Sequence, residues 1–162
     1  MFHTKKDTNF TNSEELHILK KITMLLSKAR RAWFSSTEKD VPFNCHSVAR
    51  ALVNYLQNEC ITLSVTDGLK LGFGIDEDRN PTGLQKLPHS WIVLRNRNGN
   101  IIDPYPNGII SLSPLLIPIS SQFSPYGGNM YHEVDISDYV DQETLHARTI
   151  YLLDLFRKAD AM

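Results

Sequence analysis

The sequence has few of the features that mark disulfide-stabilised, zinc-stabilised or membrane-spanning proteins. Its 162 residues include two cysteines, too few for a disulfide framework or for a structural zinc site, which usually takes about four closely spaced Cys or His ligands. No apolar run approaches the roughly 18 residues of a membrane span, and the N-terminal segment Met-Phe-His-Thr-Lys-Lys-Asp lacks the apolar core of a signal peptide. We therefore expect no metal, no cofactor and no membrane partner. The expected location is the cytoplasm, or outside the cell by a secretion route without a signal peptide.

An excess of charge of one sign is also missing. The 17 Lys and Arg residues against 18 Asp and Glu residues give a net charge of −1, whereas a dedicated nucleic-acid binder carries a clear basic excess. The length and the 41 % content of apolar residues suit one self-sufficient core. We expect a tail at residues 1–12, a single domain at residues 13–162, and no nucleic-acid partner.

Three segments have the periodicity of helices. Apolar residues recur at steps of three and four over residues 14–33, and again over residues 141–158. The remaining helix lies between these two in the chain and is shorter. It is predicted to begin at Cys45, because Asn44 is a good N-cap, and to end at Asn58 or Glu59. Its apolar stripe includes Cys45, so the thiol is predicted to point toward the protein body.

Between these helices the period changes to the alternation of strands. Asp67-Gly68 is a typical hairpin signal, and residues 76–87 are polar enough to form a loop beside a cleft. The predicted strands are residues 61–65, 69–75, 89–96, a return strand from Ile101, and residues 130–136. The expected fold class is α+β, with the helix that begins at Cys45 packed on an antiparallel sheet.

Cys45, His89 and Asp103 are the three parts of an activated thiol. A thiolate is the reactive form of cysteine, and both a helix N-terminus and an adjacent imidazolium favour it. A carboxylate behind the imidazole fixes its tautomer and stabilises its charged form. We therefore predict Cys45 as nucleophile, His89 as base and Asp103 as the residue that orients His89.

The local sequence resembles that of the transglutaminase-like superfamily of papain-like proteins. His-Ser-Trp-Ile-Val at residues 89–93, followed by Gly-Asn-Ile-Ile-Asp-Pro at residues 99–104, is similar to its His-Ala-Trp-Val-Glu-Val, glycine turn and Asp-Pro pattern. The superfamily also has its Cys at a helix start at a similar distance upstream. The similarity covers residues 42–106 and extends to bacterial deamidase-type effectors and to the B proteins of lasso-peptide maturation. It implies a papain-like core, with the helices at residues 14–33 and 141–158 as additions to it.

The turn after the His strand decides whether the three residues can meet. A two-residue turn at Asn98-Gly99 would place Asp103 opposite Leu94, on the other strand face from His89 and about 16 Å away along the strand. A bulge between Arg95 and Asn100, or a loop of five to six residues, would bring Asp103 to the face of His89. We predict such a wider connection.

Several single residues have predicted roles. Trp91 lies on the face of His89 and is expected to line the cleft, whereas Ser90 replaces the usual Ala of the pattern without consequence. The backbone N–H of Cys45 and a group of Asn44 are candidate donors to an oxyanion, since no Gln precedes Cys45 nearby. Other side chains are predicted to have ordinary roles: His46 on the rim, Cys60 buried and apolar, His146 structural, and His132-Glu133 with Asp135 as a surface group rather than a metal site.

The sequence thus predicts a thiol-dependent amide hydrolase of the glutamine deamidase or peptidase type, with a thioester intermediate. Its partner would be a protein or peptide substrate, and a host protein if the chain is an effector. Two alternatives stay open: acyl transfer to an amine, as in transglutaminases, and a binding domain that keeps the fold without the chemistry.

Overall fold

The computed structural model describes residues 13–38, 42–97, 99–106, 114–117 and 132–161. These residues form three α-helices, five β-strands and a short 3₁₀ helix. The helices are α1 (Ser13–Phe34), α2 (Cys45–Tyr55) and α3 (Gln142–Asp160), and the 3₁₀ helix is Ile136–Asp138. The strands are β1 (Thr62–Ile75), β2 (Pro81–Arg95), β3 (Ile101–Asp103), β4 (Leu115–Ile117) and β5 (His132–Glu133).

The helices begin where the sequence predicts them. The side chain of Asn44 accepts a hydrogen bond from the backbone N–H of Ser47 at 2.9 Å, which confirms Asn44 as the N-cap of α2. Asp141 caps α3 in the same way. The predicted end of α2 at Asn58 or Glu59 was wrong, because helical hydrogen bonding stops at Tyr55 and turns come next.

The five strands form one antiparallel sheet in the order β4-β3-β2-β1-β5. The predicted hairpin at Asp67-Gly68 was wrong: β1 continues through both residues, which lie opposite Ser90 and His89. The chain reverses at residues 76–80 instead, where the Asp76 carboxylate accepts two backbone hydrogen bonds. The predicted loop at residues 76–87 was therefore also wrong beyond residue 80. The strand predicted at residues 130–136 is reduced to β5, while residues 130 and 131 lie outside the described residues.

The main core lies between the three helices and one face of the sheet. Helix α3 packs on α1 and α2, and α2 packs on β1 and β2. On β2 and β3 the side chains of Ile92, Leu94 and Ile102 enter this core, whereas Trp91 and Ile101 form a second cluster on the opposite face. The fold class α+β is confirmed, with the helix that carries Cys45 on an antiparallel sheet. In the described part of the chain, no helix is long and apolar enough to cross a membrane.

Candidate active site

The thiol of Cys45 lies at the N-terminus of α2, in a turn that is held at both ends. Asn44 caps the helix, and the Ser47 hydroxyl donates a hydrogen bond to the carbonyl of Pro42 at 2.9 Å. Cys45 is 7 % exposed, so the sulfur lies close to the surface without being open to bulk solvent. A helix N-terminus carries a partial positive charge, which favours a thiolate at this position.

The connection between β2 and β3 brings His89 and Asp103 to the same face of the sheet. Ile92 pairs with Ile102 and Val93 with Ile101, and five residues separate the two strands. The same register places Asp103 opposite Trp91, so its side chain shares a face with Trp91 and His89. The predicted connection of five to six residues is confirmed.

A buried carboxylate from α1 holds this connection. Glu15 is fully buried and accepts hydrogen bonds from the side-chain amides of Asn96 at 3.1 Å and Asn100 at 3.2 Å. The Asn96 side chain also accepts the backbone N–H of Gly99 at 3.0 Å. A residue of the first helix therefore supports the loop that sets the position of Asp103.

His89 and Asp103 form a buried ion pair. The Nε2 atom of His89 lies 2.6 Å from Oδ2 of Asp103, which is fully buried. The other carboxylate oxygen accepts the backbone N–H of Tyr105 at 3.0 Å, and the Lys70 ammonium lies 3.9 Å from Oδ2. The indole of Trp91 stacks on the His89 ring, with 6.0 Å between centroids and 27° between planes. Both oxygens of the carboxylate and one face of the ring are thus fixed by neighbours.

The thiol and the ring of His89 stabilise each other as an ion pair. Burial raises the pKa of Cys45, but hydrogen bonds and charge from His46 and His89 outweigh it and lower the pKa to about 6. Burial lowers the pKa of His89, whereas hydrogen bonds and charge from Asp103 and Cys45 raise it to about 9. Between these two values the site holds a thiolate beside an imidazolium, the reactive form of a cysteine nucleophile.

The structure places a second imidazole at the thiol, which the sequence reasoning did not identify. His46 was predicted on the rim, but it is half-buried, hydrogen-bonds with Cys45, and has its Nδ1 atom 2.7 Å from the Ser90 hydroxyl. Ser90 in turn donates to Asp67 at 2.6 Å, and Asp67 forms an ion pair with Arg50. Ser90, which replaces the usual Ala of the pattern, thus takes part in a hydrogen-bond network that the sequence did not predict. The pairing of β1 with β2 places Asp67 next to Ser90. The network was not predicted because Asp67 was assigned to a hairpin turn.

Two further residues lie beside the thiol, Asn44, which was predicted as an oxyanion donor, and Tyr105, which was not predicted. The side-chain oxygen of Asn44 is used by the helix cap, so its amide group is the part that can act as a donor. Tyr105 is buried next to the site: burial raises its pKa, Arg30 lowers it, and the charge of Cys45 raises it further. Sequence reasoning missed Tyr105 as a neighbour of the thiol, because it comes after β3 without any motif of its own.

The remaining predictions concern other side chains. Cys60 was predicted to be buried but is exposed, because α2 ends early and residues 57–60 form turns at the surface; both cysteines are free thiols. His146 is exposed on α3. Among the described residues, no group of three His, Cys, Asp or Glu side chains is arranged to hold a metal ion. The side chain of His132 lies outside that description.

Comparisons with models of known protein families, with curated proteins and with solved structures each gave no significant match.

Proposed function

We propose that the chain is a thiol-dependent amide hydrolase that works through Cys45, His89 and Asp103 on a papain-like core. One observation carries the proposal: the Cys45 thiol contacts an imidazole whose far nitrogen is bound by a fully buried carboxylate. A structural cysteine needs neither an imidazole partner nor a lowered pKa. Surface ion pairs of histidine, in turn, do not have a buried carboxylate behind the ring.

The geometry supports acyl transfer in two halves. In the first, the thiolate of Cys45 attacks the carbonyl carbon of an amide, and a carbon–sulfur bond forms. The His89 imidazolium gives its proton to the leaving nitrogen as the carbon–nitrogen bond breaks, which leaves a thioester. In the second half, His89 takes a proton from water, the hydroxide attacks the thioester carbon, and the carbon–sulfur bond breaks. The carboxylic acid leaves, and thiolate and imidazolium are restored.

The substrate is proposed to be an amide of a protein or peptide. Trp91 and Tyr105 are both buried beside the site, where Trp91 stacks on the His89 ring and Tyr105 lies near the thiol. A deamidase would release ammonia from a glutamine side chain, whereas a peptidase would release a new amine. The acceptor, water or an amine, is chosen after the thioester has formed, so one test can address all three reactions.

The reactive thiol can be tested by the rate of alkylation with iodoacetamide. In a Cys60→Ser background, which removes the exposed second thiol, Cys45 is expected to react half-maximally near pH 6. At pH 6 it should react about tenfold faster than an ordinary thiol with a pKa near 8.5, after allowance for the lower nucleophilicity of a less basic sulfur. Mass spectrometry of the intact protein measures the rate, and the same protein with Cys45→Ala should not be modified.

The acyl-enzyme is tested by trapping. Incubation with a panel of glutamine-containing peptides and hydroxylamine should yield hydroxamates, because hydroxylamine competes with water for the thioester. Ammonia or a new amino terminus identifies the reaction in its absence, and incorporation of a labelled primary amine reveals transamidation. Cys45→Ala must abolish every product. An alkylation midpoint of Cys45 near 8.5, with no hydroxamate from any peptide, would instead establish the domain as a binding module without this chemistry.

A further inference from the structure

The polar residues around His46 form a second support for the thiol, separate from His89 and Asp103. A chain of hydrogen bonds leads from the His46 ring to the Ser90 hydroxyl at 2.7 Å, and from that hydroxyl to the Asp67 carboxylate at 2.6 Å. Ser90 is fully buried. Arg50 closes the network from α2, since its guanidinium pairs with Asp67 and lies 3.2 Å from the carbonyl of His46.

The hydrogen-bond directions fix the tautomer of His46. The Ser90 hydroxyl has one hydrogen, and Asp67 can only accept, so that hydrogen is on the Asp67 side. The hydroxyl oxygen must then accept from its other neighbours, the Arg50 guanidinium at 3.4 Å and Nδ1–H of His46. In the neutral ring the second nitrogen, Nε2, carries a lone pair and no hydrogen. His46 is therefore held as a base that can take up a proton at Nε2.

We propose that His46, oriented by Ser90 and Asp67, is a second proton-exchanging residue of the thiol site, alongside His89. This inference deepens the proposed function and rests on it. Cys45 then lies between two imidazoles. The His89 ring is hydrogen-bonded directly to the Asp103 carboxylate, and the His46 ring is connected to the Asp67 carboxylate through the Ser90 hydroxyl. His46 contacts the sulfur, the reacting atom itself.

The proton transfer balances within this group. The Cys45 S–H proton moves to Nε2 of His46, which leaves a thiolate and an imidazolium. The imidazolium still donates Nδ1–H to Ser90, and Ser90 still donates to Asp67, so no hydrogen bond is lost. The consequence is that the thiol has a second base, which can take its proton when the His89 ring is already protonated.

The groups that face His46 come from three elements. On α2 they are Cys45 and Arg50, on β1 Asp67, and on β2 Ser90 and His89. The charges of Arg50 and Asp67 offset each other, because the two side chains form an ion pair. Among the remaining groups, formation of the Cys45 thiolate depends most directly on the two imidazole rings, so the titration of Cys45 is the property to measure.

The test compares four proteins in the Cys60→Ser background: the parent, His46→Gln, His89→Gln and the double variant. The measured quantity is the pH midpoint of Cys45 alkylation by iodoacetamide. We expect each single variant to move the midpoint up from about 6 by about one unit, and the double variant to titrate near or above 8.5. With the same allowance for nucleophilicity, each single variant should slow the reaction at pH 6 about twofold. A His46→Gln profile that superimposes on the parent profile, or a double variant identical to His89→Gln, would overturn the proposal.

Two further variants separate the role of the ring from an effect on folding. Ser90→Ala leaves the ion pair of Asp67 in place but removes the partner of His46, so its midpoint should rise by less than that of His46→Gln. An unchanged midpoint in Ser90→Ala would refute the role assigned to Ser90. His146→Gln alters an exposed histidine on α3 and should titrate like the parent. If His46→Gln fails to unfold cooperatively in urea, Ser90→Ala carries the test.

These measurements are independent of amide hydrolysis. A parent protein that hydrolyses no amide, but whose thiol midpoint responds to His46→Gln as expected, would overturn the proposed function and leave the two-imidazole site standing. A parent that hydrolyses amides with no response to His46→Gln would do the reverse. Hydrolysis should in addition fall in His46→Gln mainly through kcat, because the ring acts on the nucleophile rather than on substrate binding.

Discussion

Replacing Asp103 with Asn changes the atom that faces Nε2 of His89, and should prevent His89 from acting as a base. Oδ1 of Asp103 accepts the backbone N–H of Tyr105, and Oδ2 faces Nε2 of His89 at 2.6 Å. In Asp103→Asn the amide oxygen can keep the first bond, and the amide N–H then points at Nε2. That nitrogen must become an acceptor, so the neutral His89 ring carries its hydrogen on Nδ1, the nitrogen left to face the thiol. A ring with Nδ1–H cannot take the proton of Cys45.

The size of the effect can be worked out from the pKa of His89. Its rise from the usual 6.5 to about 9 corresponds to about 3 kcal/mol in favour of the charged ring. Burial opposes this rise, and Asp103 and Cys45 produce it. Without the carboxylate charge we expect the pKa of His89 to fall by roughly two units. The wrong tautomer should in addition remove most of the general-base contribution, about 10²–10⁴ in kcat.

Two assays check this prediction. Nitrogen-detected NMR of histidine-labelled protein monitors the titration of the His89 ring, which is assigned by its loss in His89→Gln. The rate of thioester formation gives the kinetic effect. Asp135→Asn, at an exposed N-cap of the 3₁₀ helix, is the matched control and should match the parent in both assays. An Asp103→Asn protein whose His89 still titrates near pH 9 would refute the role of the carboxylate.

Two further predictions concern stability in urea. The lowered pKa of Cys45 contributes stability that is lost as the pH falls through about 6, and the raised pKa of His89 contributes stability that is lost as the pH rises through about 9. Between these values the two contributions change in opposite directions, so the free energy of unfolding of the parent should vary little with pH there, whereas the difference between the parent and Cys45→Ala should shrink as the pH falls toward 6. Glu15→Ala should lower the free energy of unfolding by about 2 kcal/mol, because two half-buried amides lose a charged acceptor, and should raise the alkylation midpoint of Cys45. Glu14→Ala, at the exposed neighbouring position, should cost under about 0.5 kcal/mol, and a larger loss there would contradict the argument from burial.

Local chemistry was sufficient to predict the start of α2. An Asn that can cap a helix, with an apolar stripe after it, places the first turn at Cys45, and the structure has the cap bond at 2.9 Å. The three helices were predicted to within two residues except for the end of α2. Helix starts depend on hydrogen bonds between residues close in sequence, so sequence alone carries the information.

Two of the errors have a common physical cause: the partners are distant in the chain. Asp67-Gly68 is typical of a turn, yet Asp67 is held in β1 by Arg50 and Ser90, and this ion pair and hydrogen bond outweigh a weak local preference. The same contacts place His46 at the thiol, so the hairpin error concealed the second imidazole. The error at Cys60 is a separate and local one, since α2 ends in turns after Tyr55 although its apolar periodicity continues.

The position of Asp103 depends on the loop between β2 and β3, which contacts helix α1 outside residues 42–106. Side chains alternate between the two faces of β3, so a connection one residue shorter would turn Asp103 toward the main core and away from His89. The five-residue connection keeps the correct face, and its Asn96 and Asn100 amides are bound by a carboxylate of α1. Residues 42–106 contain the three side chains of the proposed triad. The loop between the strands that carry two of them is also hydrogen-bonded to Glu15, so the N-terminal helix supports the proposed triad from outside this range.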